Sequence, residues 1–273
     1  MRILVTGHNG FIGKNMVGWL QQEEGWQVDG WEWHSNLVLP DIKIYDWVVH
    51  LGAIADMTNT DVDAILRQNL EFSQWLFKEC NSHGVHLQYA SSSSVYGNTK
   101  DFSEYAPCYP QTAYSWSKFL FDRWVFQQPM SIYVQGFRYF NVYGKYMHLR
   151  GNRANIIYKW QKQARKEGKL TVWEGAENIK RDWTWVGDVC RLHMDFIKEV
   201  KGSGIWNCGS GLAHSFLDIA EEIAEIEGAK IEFVPIPTEE LQRMRYKTCA
   251  NLKHLKETVG KRKWLNVFEY LNQ

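Results

Sequence analysis

Residues 1–20 read MRILVTGHNGFIGKNMVGWL, and this stretch decides the fold. Arg2 to Thr6 is a short, β-rich apolar run that stops at a glycine cluster, and beyond it Ile12, Met16, Trp19 and Leu20 recur at helical spacing until Gly25. Strand, tight turn and helix follow one another. That context gives meaning to Gly7, Gly10 and Gly13, which form a GxxGxxG pattern. Glycine lets the backbone turn sharply and approach a pyrophosphate, whose charge is met by the N–H groups and positive dipole end of the helix. The segment Gly7, Asn9, Gly10, Phe11, Ile12 and Gly13 is therefore expected to hold a dinucleotide.

Working outward, a second strand is expected at Trp26 to Glu32 and a buried one at Trp47 to Leu51, closed by Gly52 and Ala53. Glu32 lies about twenty residues beyond the glycines, where a carboxylate accepts hydrogen bonds from an adenosine ribose. It favours NAD over NADP, with NADP kept open because His34 is close by. Val62, Ile65, Leu66, Asn69, Leu70, Ser73, Leu76, Phe77 and Cys80 trace one face of a long helix. Strands are expected at His86 to Ser91 and Ile132 to Phe140, with a helix from Ala113 to Gln127 between them. Beyond Gly144 the alternation weakens, and Ser215 with Asp218 resembles a capping box ahead of Ile219, Ile223 and Ile226. The expectation is an α/β protein: a Rossmann-type doubly wound parallel sheet over 1–144, with a return segment near 182–198, and a smaller C-terminal α/β substrate lobe over 145–273.

Composition narrows the partners. Lys+Arg and Asp+Glu both total 31, so no net field draws the chain to nucleic acid or an anionic membrane. Cys80, Cys108, Cys190, Cys208 and Cys249 are scattered, without a CxxC pair, which argues against a disulfide framework or a zinc cage and for a reducing cytoplasm. The opening apolar run is too short for a signal-peptide core, and no stretch approaches a membrane span. His83 and His86 have no matched carboxylate or cysteine and read as a polar turn, so no metal is expected.

Tyr114 and Lys118 make YxxxK within an expected helix, where residues four apart share a face. A phenol of pKa about 10 becomes a usable base when a cation favours its anion. Upstream, residues 89–97 read YASSSSVYG, a strand end loaded with hydroxyls. Ser92 is placed to hydrogen-bond a reacting hydroxyl or carbonyl against Tyr114.

TGHNGFIG, VVHLGA, YASSSSVYG, YSWSK, FRYFNVYG and RDWTWVGDV occur in order over nearly the whole chain. Together they resemble the extended short-chain dehydrogenase/reductases, the nucleotide-sugar epimerases and dehydratases. SKFLFD, WEGAENIKRD and RYKTCANL are most similar to the branch that epimerises ADP-heptoses at carbon 6. The resemblance implies a Ser92, Tyr114 and Lys118 triad, with Lys118 also at the nicotinamide ribose. It places Asn69 and the His50 to Ala53 turn, with Leu51 and Gly52, at the cofactor cleft. Ser93, Asn141, Arg150, Arg181 and Arg245 would face the substrate, the last two at its diphosphate, which an arginine fork pairs well. Four departures stand out. Dehydratases carry an Asp-Glu pair where this chain has Ser93 and Ser94. The lysine that serves the heptose branch as a second base falls at Arg150, which does not give up a proton, leaving His148 as the nearby substitute. Lys145 replaces the usual proline, and the span from Glu32 to Trp47 is too short for a strand-plus-helix excursion, with Asp41 expected to cap the adenine.

These readings lead to an enzyme that epimerises a nucleotide-diphosphate sugar by transient oxidation with bound NAD(P). The rivals are a keto-sugar reductase consuming NAD(P)H, a 4,6-dehydratase and a non-catalytic NAD-binding subunit. The helices Val62 to Cys80 and Ala113 to Gln127 are the pair that forms a homodimer's four-helix bundle in this family.

Overall fold

The computed structural model describes residues 1–33 and 38–273; His34 lies outside them. β1 (Arg2–Thr6) runs through the glycine turn into α1 (Phe11–Leu20), followed by β2 (Gln27–Trp31) and β3 (Trp47–His50). The long helix is α2 (Val62–Leu66) and α3 (Phe72–His83), joined without a break by a π-helical stretch at Arg67–Glu71. β4 (His86–Ser92), α4 (Ala113–Val125) and β5 (Val134–Tyr139) complete the first part.

The chain then forms β6 (Asn141–Tyr143), α5 (Ile156–Glu167), β7 (Lys169–Trp173) and β8 (Lys180–Trp185). α6 (Val186–Lys198) and β9 (Gly204–Cys208) come back to the first sheet, which reads β2-β1-β3-β4-β5-β9 and is parallel throughout. After them come β10 (Ala213–Ser215), α7 (Phe216–Glu227), β11 (Lys230–Val234), α8 (Thr238–Arg243), β12 (Lys247–Thr248), α9 (Lys253–Val259) and α10 (Val267–Leu271). The second region holds a small sheet in the order β10-β8-β12, with β6 also on β8, and a parallel pair of β11 and β7.

Side chains alternate across a strand, so β1 sends Ile3 and Val5 to one core and Leu4 to the other. Met16, Leu20, Cys190 and Ile197 of α1 and α6 cover the first face. Leu76, Phe77, Phe121 and Val125 of α3 and α4 cover the second. That two-sided burial is why β3 reads as an unbroken apolar run. From β2 the chain reaches β3 by way of a single 3-10 turn at Ile42–Ile44, so β2 is the sheet edge among the described residues. The connection on either side of β1 runs in opposite directions, which opens a crevice at the carboxyl ends of β1 and β3. In α7, Ser215 and Asp218 close the expected capping box at 3.0 and 2.8 Å. Ile219 and Ile223 are buried there, whereas Ile226 is 43% exposed, one turn past the contact with β7.

Candidate active site

Gly7 leaves β1 with φ 74 and gives its N–H to the Trp31 carbonyl at 2.9 Å. A Cβ on Gly7 would stand 2.6 Å from the Gly52 nitrogen, and one on Gly13 would stand 2.0 Å from the Gly7 oxygen. Only glycine fits either place. Gly10 caps α1 without a side-chain hydrogen bond, leaving the first N–H groups of the helix open to an anion. Glu32, at the tip of β2, accepts the Asn9 N–H at 2.6 Å. Gly7, Glu32, Trp33, Gly52, Ala53, Gln68 and Phe72 enclose a cavity of about 150 Å³. Phe72 stacks on Trp31 at 4.9 Å and meets the edge of Trp33 at 5.2 Å. A glycine cradle, a free helix N-terminus and a carboxylate at the strand tip fit a dinucleotide.

Ala53 also lines a second cavity of about 310 Å³, so the two adjoin along the crevice. Its wall carries Ser92, Ser93, Ser94, Tyr114, Lys118, Asn141, Arg150, Arg153 and Arg245. Ser92 ends β4, and its Oγ accepts the Ser94 N–H at 3.1 Å. Ser94 Oγ is buried with no partner among the described residues. α4 starts at a capping box in which Thr112 Oγ1 accepts the Ser115 N–H and Ser115 Oγ accepts the Thr112 N–H. That fixed start presents Tyr114 and Lys118 on one face. One turn on, buried Asp122 accepts from Tyr89 Oη at 3.0 Å, Ser91 Oγ at 2.9 Å and Arg138 Nε at 3.0 Å, tying α4 to β4 and β5.

Burial pushes the Tyr114 phenol above its ordinary 10.0, against opposing pulls from the Ser92 hydroxyl and the Arg150 guanidinium. Burial pushes the Lys118 ammonium down to about 8 while Asp122 draws it back up. Lys118 is felt by His50, which burial holds down at about 3.

Leu51 and Ile12 line the larger cavity with the triad, whereas Phe11 turns into the core beneath α1. His50 is buried, 2.6 Å from Thr6 Oγ1 and 2.9 Å from Ser73 Oγ, so it ties β3 to β1 and α3 rather than facing the cleft. Asn69 is fully buried and contacts no open space. The π turn swings its amide inward, where it takes the Ile54 N–H at 2.8 Å and donates to the Ile54 carbonyl and Ser117 Oγ. It positions the cleft loop. Asp41 does not line the cleft: it precedes the Ile42–Ile44 turn without a side-chain cap hydrogen bond, is exposed, and sits 3.3 Å from Lys43. With no intervening strand among the described residues, that turn packs against the core through Ile42 and leaves Asp41 outside.

The second-base position is also corrected. Residues 147–153 form a 3-10 stretch with a break at Gly151; three residues per turn put Met147 and Arg150 on the cavity side, and Arg153, beyond the break, lines it too. His148 falls on the outer side, in a surface groove with Gly151 and Lys162. Arg245 reaches the cavity and points Nη1 at the Ser93 carbonyl, 3.5 Å away. Arg181 stays off the wall, its guanidinium over the Phe216 ring, yet it is close enough to Arg245 that burial and mutual repulsion lower it to about 10. Asn141 donates to the Asp182 carbonyl at 3.3 Å. Asp182, Trp33, Gln68 and Arg153 were not singled out by the sequence. Buried Asp182 gathers Ser210, Gly211 and Ala250 N–H groups at 2.8–2.9 Å and shapes the substrate side.

Comparison with known proteins agrees with this geometry. The chain is 31% identical to the ADP-L-glycero-D-manno-heptose-6-epimerase of Brachyspira hyodysenteriae, over 97% of its own length and 94% of that protein's. The solved Helicobacter pylori ADP-L-glycero-D-manno-heptose-6-epimerase superposes with a TM-score of 0.88 at 22% identity, covering 99% of this chain and 94% of that one. Thermus thermophilus UDP-glucose 4-epimerase, solved with NAD, gives 0.83 at 24% identity over 99% and 96%. Residues 3–209 match the NAD dependent epimerase/dehydratase family. With its glycine cradle and its Ser92, Tyr114 and Lys118 cavity, the chain belongs to that family and takes NAD as its cofactor.

Proposed function

We propose that the protein is a nucleotide-sugar epimerase in which Tyr114 alone moves the substrate proton. One observation carries the reading. The cavity that holds Ser92, Tyr114 and Lys118 has no Asp, Glu, Cys or His on its wall among the described residues. Tyr114 takes the proton of the sugar hydroxyl in the first half-reaction and returns it after the keto-sugar has presented its other face. Ser92 shares its hydrogen bond with that oxygen, and Lys118 and Arg150 supply positive charge to the developing anions. NAD held in the glycine cradle would supply hydride acceptance and return, and its positive ring would favour the phenolate. Ser93 and Ser94 leave no acid for eliminating water, which argues against a dehydratase.

Arg245, with Arg181 behind it, is assigned to the diphosphate, and Ser93 and Asn141 to the sugar side. Residues 1–144 then form the cofactor lobe and 145–273 mainly the substrate lobe. We further infer a cytoplasmic homodimer. All five cysteines are free, no helix of the described residues is long and apolar enough to cross a membrane, and α4 leaves Trp116 and Leu120 exposed.

The test is a panel of nucleotide sugars incubated with purified protein and no added cofactor. A stereoisomer is expected, and Tyr114→Phe should slow its formation by about 10²–10⁴-fold with NAD binding intact. Turnover only with stoichiometric NAD(P)H would replace this reading with a reductase.

A further inference from the structure

The charges on the wall of the larger cavity do not balance for a neutral sugar. Arg150, Arg153, Arg245 and Lys118 line it, and no carboxylate does among the described residues. The two phosphates of a nucleotide sugar answer Arg245 and its neighbour Arg181. Arg150 and Arg153 lie elsewhere on the wall, on either side of the break at Gly151. Arg150 is anchored by Nη2 on the Ala55 carbonyl at 3.1 Å and is near enough to Tyr114 to pull on its phenol. Asp56, whose carboxylate is drawn on by both arginines, makes no ion pair with either and accepts the Thr58 N–H and Oγ1 at 2.9 and 2.7 Å. Neither guanidinium forms an ion pair among the described residues.

Partial burial of a cation without a paired counter-charge is costly, and burial does depress the Arg150 guanidinium, while Arg153 beside it on the wall is exposed. An anion supplied by the substrate would remove that cost. Arginine suits a planar, two-oxygen anion, and it cannot act as a base, so this position serves charge recognition and not proton transfer. Resting on the epimerase reading of the Tyr114 cavity, we infer that the sugar unit carries a carboxylate beside the reacting carbinol, held by Arg150 and Arg153. The substrate class is a nucleotide-linked sugar acid.

The inference is tested by titrating the NAD-loaded enzyme calorimetrically with UDP-glucuronic acid and UDP-glucose, and with the ADP-linked pair. The acid is expected to bind about tenfold or more tightly than its neutral partner in at least one series. In Arg150→Gln and in Arg153→Gln that preference should fall below about threefold, with NAD affinity and melting temperature unchanged. Equal or tighter binding of the neutral sugar, a preference that survives in both variants, or no binding of the acid in either series overturns it. Stereoisomers formed from neutral sugars without any acid preference would sink this inference and leave the epimerase standing. An acid held through Arg150 and never converted would do the reverse.

Discussion

Tyr114 sits in surroundings that oppose its ionisation, so the residues around it matter as much as the phenol. The spacing that puts Lys118 on its face and the hydroxyl run at the end of β4 were legible in the sequence, because both are local patterns. The direction of the charge effect was not. Burial depends on what packs over the ring, and the guanidinium that reaches it comes from Arg150, thirty-six positions along the chain (150 less 114). Buried neutral histidines give a second residue-scale prediction. His193 Nδ1 is 2.7 Å from Gln88 Oε1, and Gln88 Nε2 is spent on Gln135, so Nδ1 carries the proton and Nε2 accepts from Tyr139 Oη at 2.6 Å. Burial lowers His193 from 6.5 to about 3, so the unfolded chain binds an extra proton between those values. The stability from this group is complete above pH 6.5 and is lost as pH falls towards 3. Thermal unfolding from about pH 7.5 to about pH 5 should show a falling midpoint. His193→Gln should start lower and fall less steeply; an unchanged slope would contradict the assignment.

At the scale of elements, the glycine turn between β1 and α1 was legible because strand, glycines and helix are contiguous. β6, β10 and β12 were not, since strands of two or three residues show no periodicity and exist only by pairing with β8. The π turn at Arg67–Glu71 was hidden for a related reason: its apolar pattern is that of an ordinary helix, and only the inward Asn69 betrays the extra residue. The shortened link after β2 has a functional consequence. With β2 at the sheet edge, Trp33 and Phe72 wall the small cavity, and Gln68 stands beside them with its amide unpaired among the described residues. An adenine seated there would stack on Trp33. Trp33→Ala is expected to weaken NAD by about 1–3 kcal/mol, or roughly 5- to 150-fold, while nicotinamide mononucleotide, which lacks the adenine, binds as before. Equal loss for both ligands would place the defect in the fold instead.

For the whole molecule, the outward face of α4 offers Trp116 at 46% exposure and Leu120 at 39%, one turn apart and beside α2 and α3. A two-fold partner placing the same helices opposite would bury this stripe. Light scattering should return a dimer for the protein and a monomer for Leu120→Glu, with the melting temperature reduced; a monomeric mass for the unaltered protein would rule the bundle out. The account as a whole rests on a substrate that is oxidised and re-reduced on one enzyme by one base. The most direct measurement is epimerisation in deuterium oxide without added cofactor, followed by mass spectrometry of the product sugar. Retention of the original hydrogen at the inverted carbon is the predicted result, and deuterium appearing there would contradict it.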